Sequence, residues 1–284
     1  DRRQRQMCIR DRVEKMANTK LLTYFNIKGG IYKTTTSIMT AYELAKDKDK
    51  KILLWDLDVQ ANLTQYVYEI NHNDNTTLDI LKGISANDAI VKSPNENYIN
   101  VDLIPSDIQM ARFEQELSPL PAREKFLARW YMQNFNTLSE YDYIICDLSP
   151  RYDLTAKNVL FLADSIIIPI QDKNISSLRG AELFKQLWDV DRTYFDKEDN
   201  IKSTVLVGFE KKKTQISDTF DSYLEGFNDM RDIMLDTYIR KNEFIEKALL
   251  KKLSLTDYTK ITKEHFSRQE FTNMLEELKR KGVL

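Results

Sequence analysis

Short, nearly unbroken apolar runs alternate along this chain with segments whose apolar residues recur every three or four positions. The runs at residues 21–26, 51–56, 99–104, 143–147, 165–170 and 204–209 have the length and bounded ends of buried strands. Between the first two, Ile38, Ala41, Tyr42 and Ala45 fall at helical spacing, predicting a helix over 34–46. Further helices are expected at 108–117, 122–138, 178–188 and 217–226. Strand, loop, helix and strand in that order predict a parallel sheet with covering helices. Tyr143-Ile144-Ile145-Cys146 suits a sheet buried on both faces. The expected class is therefore α/β, a three-layer arrangement with a mostly parallel twisted sheet flanked by helices. Chemistry is then expected in loops at the carboxyl ends of the strands.

The first such loop reads Asn26-Ile27-Lys28-Gly29-Gly30-Ile31-Tyr32-Lys33-Thr34-Thr35. A glycine pair followed by Lys-Thr, with a strand before and a helix after, wraps backbone N–H groups around phosphates at the positive end of the helix. Gly29, Gly30, Ile31, Tyr32, Lys33, Thr34 and Thr35 are the expected nucleotide contacts. Lys33 reaches the β and γ phosphates and the Thr34 hydroxyl takes Mg²⁺. Tyr32 stands where this loop usually has glycine, because backbone approaches phosphate closely there. A side chain at that position either crowds the phosphate or makes the loop reshape, so retained and impaired hydrolysis both stay open. Two acidic strand ends follow, Asp56-Leu57-Asp58 and Asp147. Asp56 and Asp147 are expected to support the metal, and Asp58, one step further out, to orient an attacking water.

Composition narrows the partners. The chain has 284 residues, 42% hydrophobic and 30% charged with mixed signs, which describes a folded globular protein. A net charge of −2 advertises no nucleic acid globally, so any DNA contact has to come from a local basic patch. Cys8 and Cys146 are too few for a disulfide scaffold or a four-ligand metal site, and His72 and His265 read as ordinary surface or packing residues. No apolar stretch approaches bilayer length and no signal peptide is evident, so a cytoplasmic location is expected. Residues 1–15 are highly charged and without period, and they precede Met16-Ala17-Asn18. They resemble translated sequencing-adapter read-through and are expected to be a non-native extension, leaving 16–284 as one ATPase domain.

These residues together resemble the ParA/MinD superfamily of deviant Walker A P-loop ATPases, and within it the short, Soj-like ParA DNA-partition proteins. The resemblance rests on residues 26–37, 51–66, 141–150 and 163–180, continues through 205–217 and 237–248, and covers essentially Met16 to the C-terminus. It implies a P-loop NTPase fold with ATP and Mg²⁺ as cofactors and an ATP-dependent homodimer. It further implies that Lys28 reaches across the dimer to the partner's phosphates, with Lys33 and Asp58 as the catalytic companions within the subunit and Thr35 an α-phosphate contact. Non-specific DNA binding, nucleoid association and stimulation of hydrolysis by a ParB-like, centromere-binding protein come with it. The candidate DNA surface is Arg240, Lys241, Lys247, Lys251, Lys252, Lys260, Lys263 and Arg268, since phosphate contacts need cations rather than base-reading geometry. Val59 replaces the usual proline after Asp58, and the family's motif before the last helix is not recognisable at 255–260.

Three other readings compete. A degenerate, non-hydrolysing relative that binds DNA or a partner follows from Tyr32. A membrane-cycling, MinD-like ATPase follows from Phe271, Met274, Leu275 and Leu278 on one face of a last helix; packing of that face on the sheet is preferred, because Glu270, Glu276 and Glu277 would repel anionic lipid. An electron-transfer relative needs a cysteine pair across the dimer that Cys8 and Cys146 do not supply.

Overall fold

A computed structural model describes residues 19–210, 215–262 and 265–284; Cys8, the 1–15 extension and Lys263 lie outside them. Among the described residues seven strands form one sheet: β1 Lys20–Tyr24, β2 Ile52–Leu57, β3 Val101–Ile104, β4 Tyr143–Leu148, β5 Ser165–Gln171, β6 Ile201–Phe209 and β7 Met234–Arg240. Their order is β3-β2-β4-β1-β5-β6-β7, with every pairing parallel. The helices are α1 Lys33–Leu44, α2 Asn62–Val67, α3 Ala86–Ala89, α4 Phe113–Leu117, α5 Phe126–Gln133, α6 Phe135–Leu138, α7 Leu154–Leu162, α8 Ile175–Tyr194, α9 Gln215–Glu225, α10 Asn228–Asp232, α11 Glu243–Leu250, α12 Leu255–Thr262 and α13 Phe266–Arg280.

Successive strand residues feed opposite layers. Leu21, Ile144, Cys146, Ile166 and Ile168 join one core with Phe184 and Trp188 of α8. Their neighbours Leu22, Ile145 and Ile167 join the other, with Ile38, Met39 and Tyr42 of α1 and Phe271 and Leu278 of α13. This alternation follows from the two-residue period of a strand. With both faces covered, each such side chain contributes about 1.5–3 kcal/mol on leaving water, which is why the strands read as unbroken apolar runs. Cys146 is buried in this way, and burial pushes its thiol well above the ordinary range.

Two expectations are revised. The helix foreseen over 122–138 is broken at Asn134 (φ −104°, ψ 19°), whose side chain accepts from the Ala86 N–H at 2.7 Å and donates to the Trp130 carbonyl. Strand β7 was not foreseen, because its burial is patchy and polar residues interrupt it. It lies at the sheet edge, where open backbone groups invite foreign pairing. Helix α13 covers it: Glu277 accepts from the N–H groups of Asp236 (2.8 Å) and Thr237 (3.0 Å), and Glu270 from that of Arg240 (3.0 Å). These glutamates therefore face the sheet, while Phe271, Met274, Leu275 and Leu278 are buried against it. No helix among the described residues is long and apolar enough to cross a membrane.

Candidate nucleotide site

Strand β1 ends at Tyr24, and seven residues of loop follow it and its neighbour Phe25 before α1 starts at Lys33. Asn26 is buried and anchors the loop's floor: its amide donates to the carbonyls of Pro169 (2.9 Å) and Ser177 (3.1 Å), and its Oδ1 accepts from Lys28 N (3.0 Å). Helix α8 approaches so closely that a methyl group at Gly180 would sit 2.7 Å from Asn26 Oδ1. The Lys33 ammonium folds back onto the carbonyls of Asn26 (3.2 Å) and Lys28 (3.0 Å). Burial pulls its pKa down to about 8, against the opposing pull of Asp147 and Asp58. Among the described residues no side chain caps the start of α1. Its first-turn N–H groups therefore have neither helical partners nor a cap, and the helix dipole adds positive potential there.

Residue 32 takes the left-handed conformation (φ 63°, ψ 15°) that explains why glycine is usual here. For tyrosine that geometry costs roughly 1–2 kcal/mol. The half-buried ring leans on β6: a methyl at Gly208 would lie 3.3 Å from Tyr32 Cε2. Burial raises the phenol pKa, with Glu246 and Glu210 adding to the rise and Lys241 opposing it. A cavity of about 400 Å³ remains beside the loop. Its walls include Gly29 to Thr35, Asp58 and Tyr66.

Of the acidic strand-end residues Asp58 lines this cavity, while Asp56 and Asp147 are fully buried, and the carboxylates differ in state. Asp56 and Asp147 are register partners across β2 and β4. Asp56 is fully engaged: one oxygen accepts from Asp58 N (3.0 Å), the other from Thr64 N (2.8 Å) and the Thr64 hydroxyl (2.7 Å). Among the described residues, Asp147 accepts only the Thr34 hydroxyl (2.7 Å), leaving its buried Oδ1 without a hydrogen-bond partner there. An unmet buried acceptor is costly and points to a missing donor or cation. Burial pushes both carboxyls upward; the Asp56 charge adds to the rise at Asp147 with Thr34 opposing it, and Asp58 adds to the rise at Asp56 with its hydrogen bonds from Asp58 and Thr64 opposing it. Asp58 is buried too, and its Oδ1 accepts from Gln60 N (3.0 Å).

The structure thus brings Gly29, Gly30, Ile31, Tyr32, Lys33, Thr34, Thr35 and Asp58 to one cavity, with Asp147 bonded to Thr34 and Asp56 behind Asp58. Lys28 is exposed at the loop's tip. The cations proposed for DNA do not line this cavity, although Lys241 acts on the Tyr32 phenol at its edge, and most are already matched. Arg240 pairs with Glu270 (2.7 Å), Lys241 with Glu210 (3.3 Å), Lys247 with Glu243 (2.9 Å) and Lys260 with Asp257 (2.8 Å). Lys252 donates to the Val67 carbonyl. Lys251 and Arg268 are exposed and have no carboxylate partner among the described residues.

The side chains that fasten the site carry no motif of their own in the sequence: Asn26, Thr64 and Ser106, whose hydroxyl donates to the Asp58 carbonyl at 2.9 Å. A polar residue inside or just after an apolar strand, where it has no exposed face to occupy, was the available signal.

Comparison with known proteins agrees with this geometry. Residues 19–202 match the family described as AAA domain. The chain is 36% identical over 163 residues to the sporulation initiation inhibitor protein Soj of Bacillus subtilis, covering 54% of this chain and 58% of Soj. To the chromosome partitioning protein ParA of Caulobacter vibrioides it is 26% identical over 259 residues, covering 88% of this chain and 95% of that one. A plasmid partition protein of Borrelia burgdorferi, solved bound to AMPPNP, superposes with a TM-score of 0.72 at 26% identity, covering 93% and 99% of the two chains. By the family match, the shared fold and the loop itself, the chain belongs to the ParA/MinD superfamily of P-loop ATPases, close to the Soj-like ParA proteins.

Proposed function

We propose that this protein is a partition ATPase that binds MgATP in the cavity beside residues 26–35, dimerises around it and hydrolyses it to ADP and phosphate. The observation that carries the reading is the buried, unpartnered Asp147 oxygen beside Thr34 at the uncapped start of α1. The donor set fits magnesium. Thr34 spends its proton on Asp147 and keeps lone pairs for a metal, and Asp147 offers an oxygen directly or through water. Among the described residues no three His, Cys, Asp or Glu side chains cluster as a metal site, so phosphates and water would complete the shell. Asp56, its oxygens filled from the Asp58 and Thr64 side, would support the metal only from behind. Magnesium, when bound, offsets charge on the phosphates. The first-turn N–H groups of α1 and the Lys33 ammonium would share the rest, and Asp58 would orient the attacking water.

Lys28, exposed at the loop's tip, is suited to reach a second subunit's phosphates. Non-specific DNA contact through Lys251, Lys252 and Arg268 and stimulation by a centromere-binding partner complete the cycle. Nucleoid association in the cytoplasm follows from those contacts. A second reading, constitutive binding of DNA or a partner without turnover, draws on the side chain at residue 32. Calorimetry with AMPPNP, with and without Mg²⁺, and phosphate release from ATP in the presence of DNA separate the two. Magnesium-dependent binding with turnover lost in Lys33→Ala supports the ATPase. Binding without turnover under any of these conditions supports the second reading, and no binding at all rejects the site.

A further inference from the structure

Two residues with left-handed backbone meet at the edge of the nucleotide cavity. Tyr32 (φ 63°) immediately precedes Lys33, and Gly208 (φ 66°) lies near the end of β6. The β6–β7 register shifts between Val207 and Phe209, so the strand bulges where the ring rests. A bulge with glycine marks a close approach, and here the approaching group is the Tyr32 ring. A methyl at 208 would lie 3.3 Å from Tyr32 Cε2 and 3.5 Å from Gln171 Cγ. The lining of this recess leaves little slack. Glu210 and Lys241, joined at 3.3 Å, act on the phenol from the ends of β6 and β7, and Glu246 acts on it from α11.

We infer that Gly208 is a positioning residue for the phosphate loop, acting through Tyr32: the space and bend at 208 let the ring seat, and the seated ring holds residue 32 in the geometry that aims Lys33 and the start of α1. Contacts made by the ring offset the strain of a left-handed tyrosine, a conformation that persists only where its surroundings over-determine it. Tyr32 is then neither a simple obstruction nor an isolated loss of glycine. It is one half of a matched pair whose other half lies 176 positions later in the chain. The inference rests on the nucleotide reading for its functional consequence, and on the geometry alone for the coupling.

A double-mutant cycle tests it in the full chain. Gly208→Ala in the natural background should weaken magnesium-dependent AMPPNP binding roughly tenfold, because contacting residues couple by 0.5–3 kcal/mol. With Tyr32→Gly present, the left-handed strain of alanine at 208 remains but no ring needs seating, so the same change should cost affinity at least about threefold less than in the natural background. Tyr32→Ala, which keeps the strain and loses the ring, should bind more weakly than Tyr32→Gly. Tyr32→Phe should preserve the sensitivity to Gly208→Ala. Equal losses from Gly208→Ala in both backgrounds would overturn the inference, as would Tyr32→Ala matching Tyr32→Gly. The cycle repeated on thermal unfolding without nucleotide judges the pair independently. Non-additive Tm changes support it and additive ones overturn it, even if the natural chain binds no nucleotide and the functional reading falls.

Discussion

The nucleotide cavity and the C-terminal basic surface hold their charge in opposite ways. In the cavity the ionisable groups are buried and under-matched: Lys33 leans on carbonyls and Asp147 keeps an oxygen without a partner. On the surface the cations are exposed and mostly matched, each against a neighbouring carboxylate. A buried unmet group makes a large, short-range demand on a ligand. An exposed ion pair is worth about 0–1 kcal/mol and is easily exchanged for another partner. Under the proposed function, the cavity suits one tightly specified occupant and the surface many weak, salt-sensitive contacts.

The largest effect that would sharpen this contrast is at Lys33. Its replacement by alanine should reduce AMPPNP affinity by at least about 100-fold, since charge-assisted hydrogen bonds to phosphate are roughly twice as strong as neutral ones and the proposed role gives this lysine more than one; calorimetry reads the change. Asp58→Ala comes next. Phosphate release should fall by about 100-fold or more, as for loss of a water-orienting group, while AMPPNP affinity stays within a few-fold; loss of binding instead would reassign Asp58.

Asp147→Asn probes the unmet oxygen from two sides. Magnesium should cease to improve nucleotide affinity, yet the nucleotide-free protein should become more stable near neutral pH. The sign follows from linkage: a carboxyl whose pKa is raised by folding destabilises the fold once pH exceeds its unfolded value, about 4, and the penalty grows until the folded group ionises. The natural chain should thus lose stability between pH about 4 and neutrality more steeply than the asparagine variant, by a few degrees in Tm. Identical pH profiles would remove Asp147 from this account. The smallest effect belongs to the surface. Charge reversal at Lys251 and Lys252 should weaken DNA binding equally for all sequences and lower the salt slope by about 2, one for each phosphate contact. An unchanged slope would erase the functional distinction between those lysines and their paired neighbours.

Legibility in the sequence divides along the same line. The central strands were readable because both faces are buried, leaving apolar runs such as Tyr143-Ile144-Ile145-Cys146 with no polar interruption. Strand β7 was not, since as an edge strand it is only partly covered and owes its shielding to Glu270 and Glu277 from a helix some 30 to 40 residues later. Within the site, the loop and its acids were readable because backbone wrapping fixes which residue types stand at which spacing. The division of labour between Asp56 and Asp147 was not, because it depends on Thr64 occupying one carboxylate and nothing occupying part of the other. The seat of a side chain at residue 32 was equally hidden, since the glycine beside it belongs to another strand.

The anchoring of Asn26 has a mechanical consequence. One amide ties the loop's floor to both β5 and α8, and at Gly180 the helix has no room to slide past it. Any side chain at residue 180 would force the helix off that floor, so the seat of the loop depends on one hydrogen-sized position in α8, whose Phe184 and Trp188 fix the rest of the helix in the core.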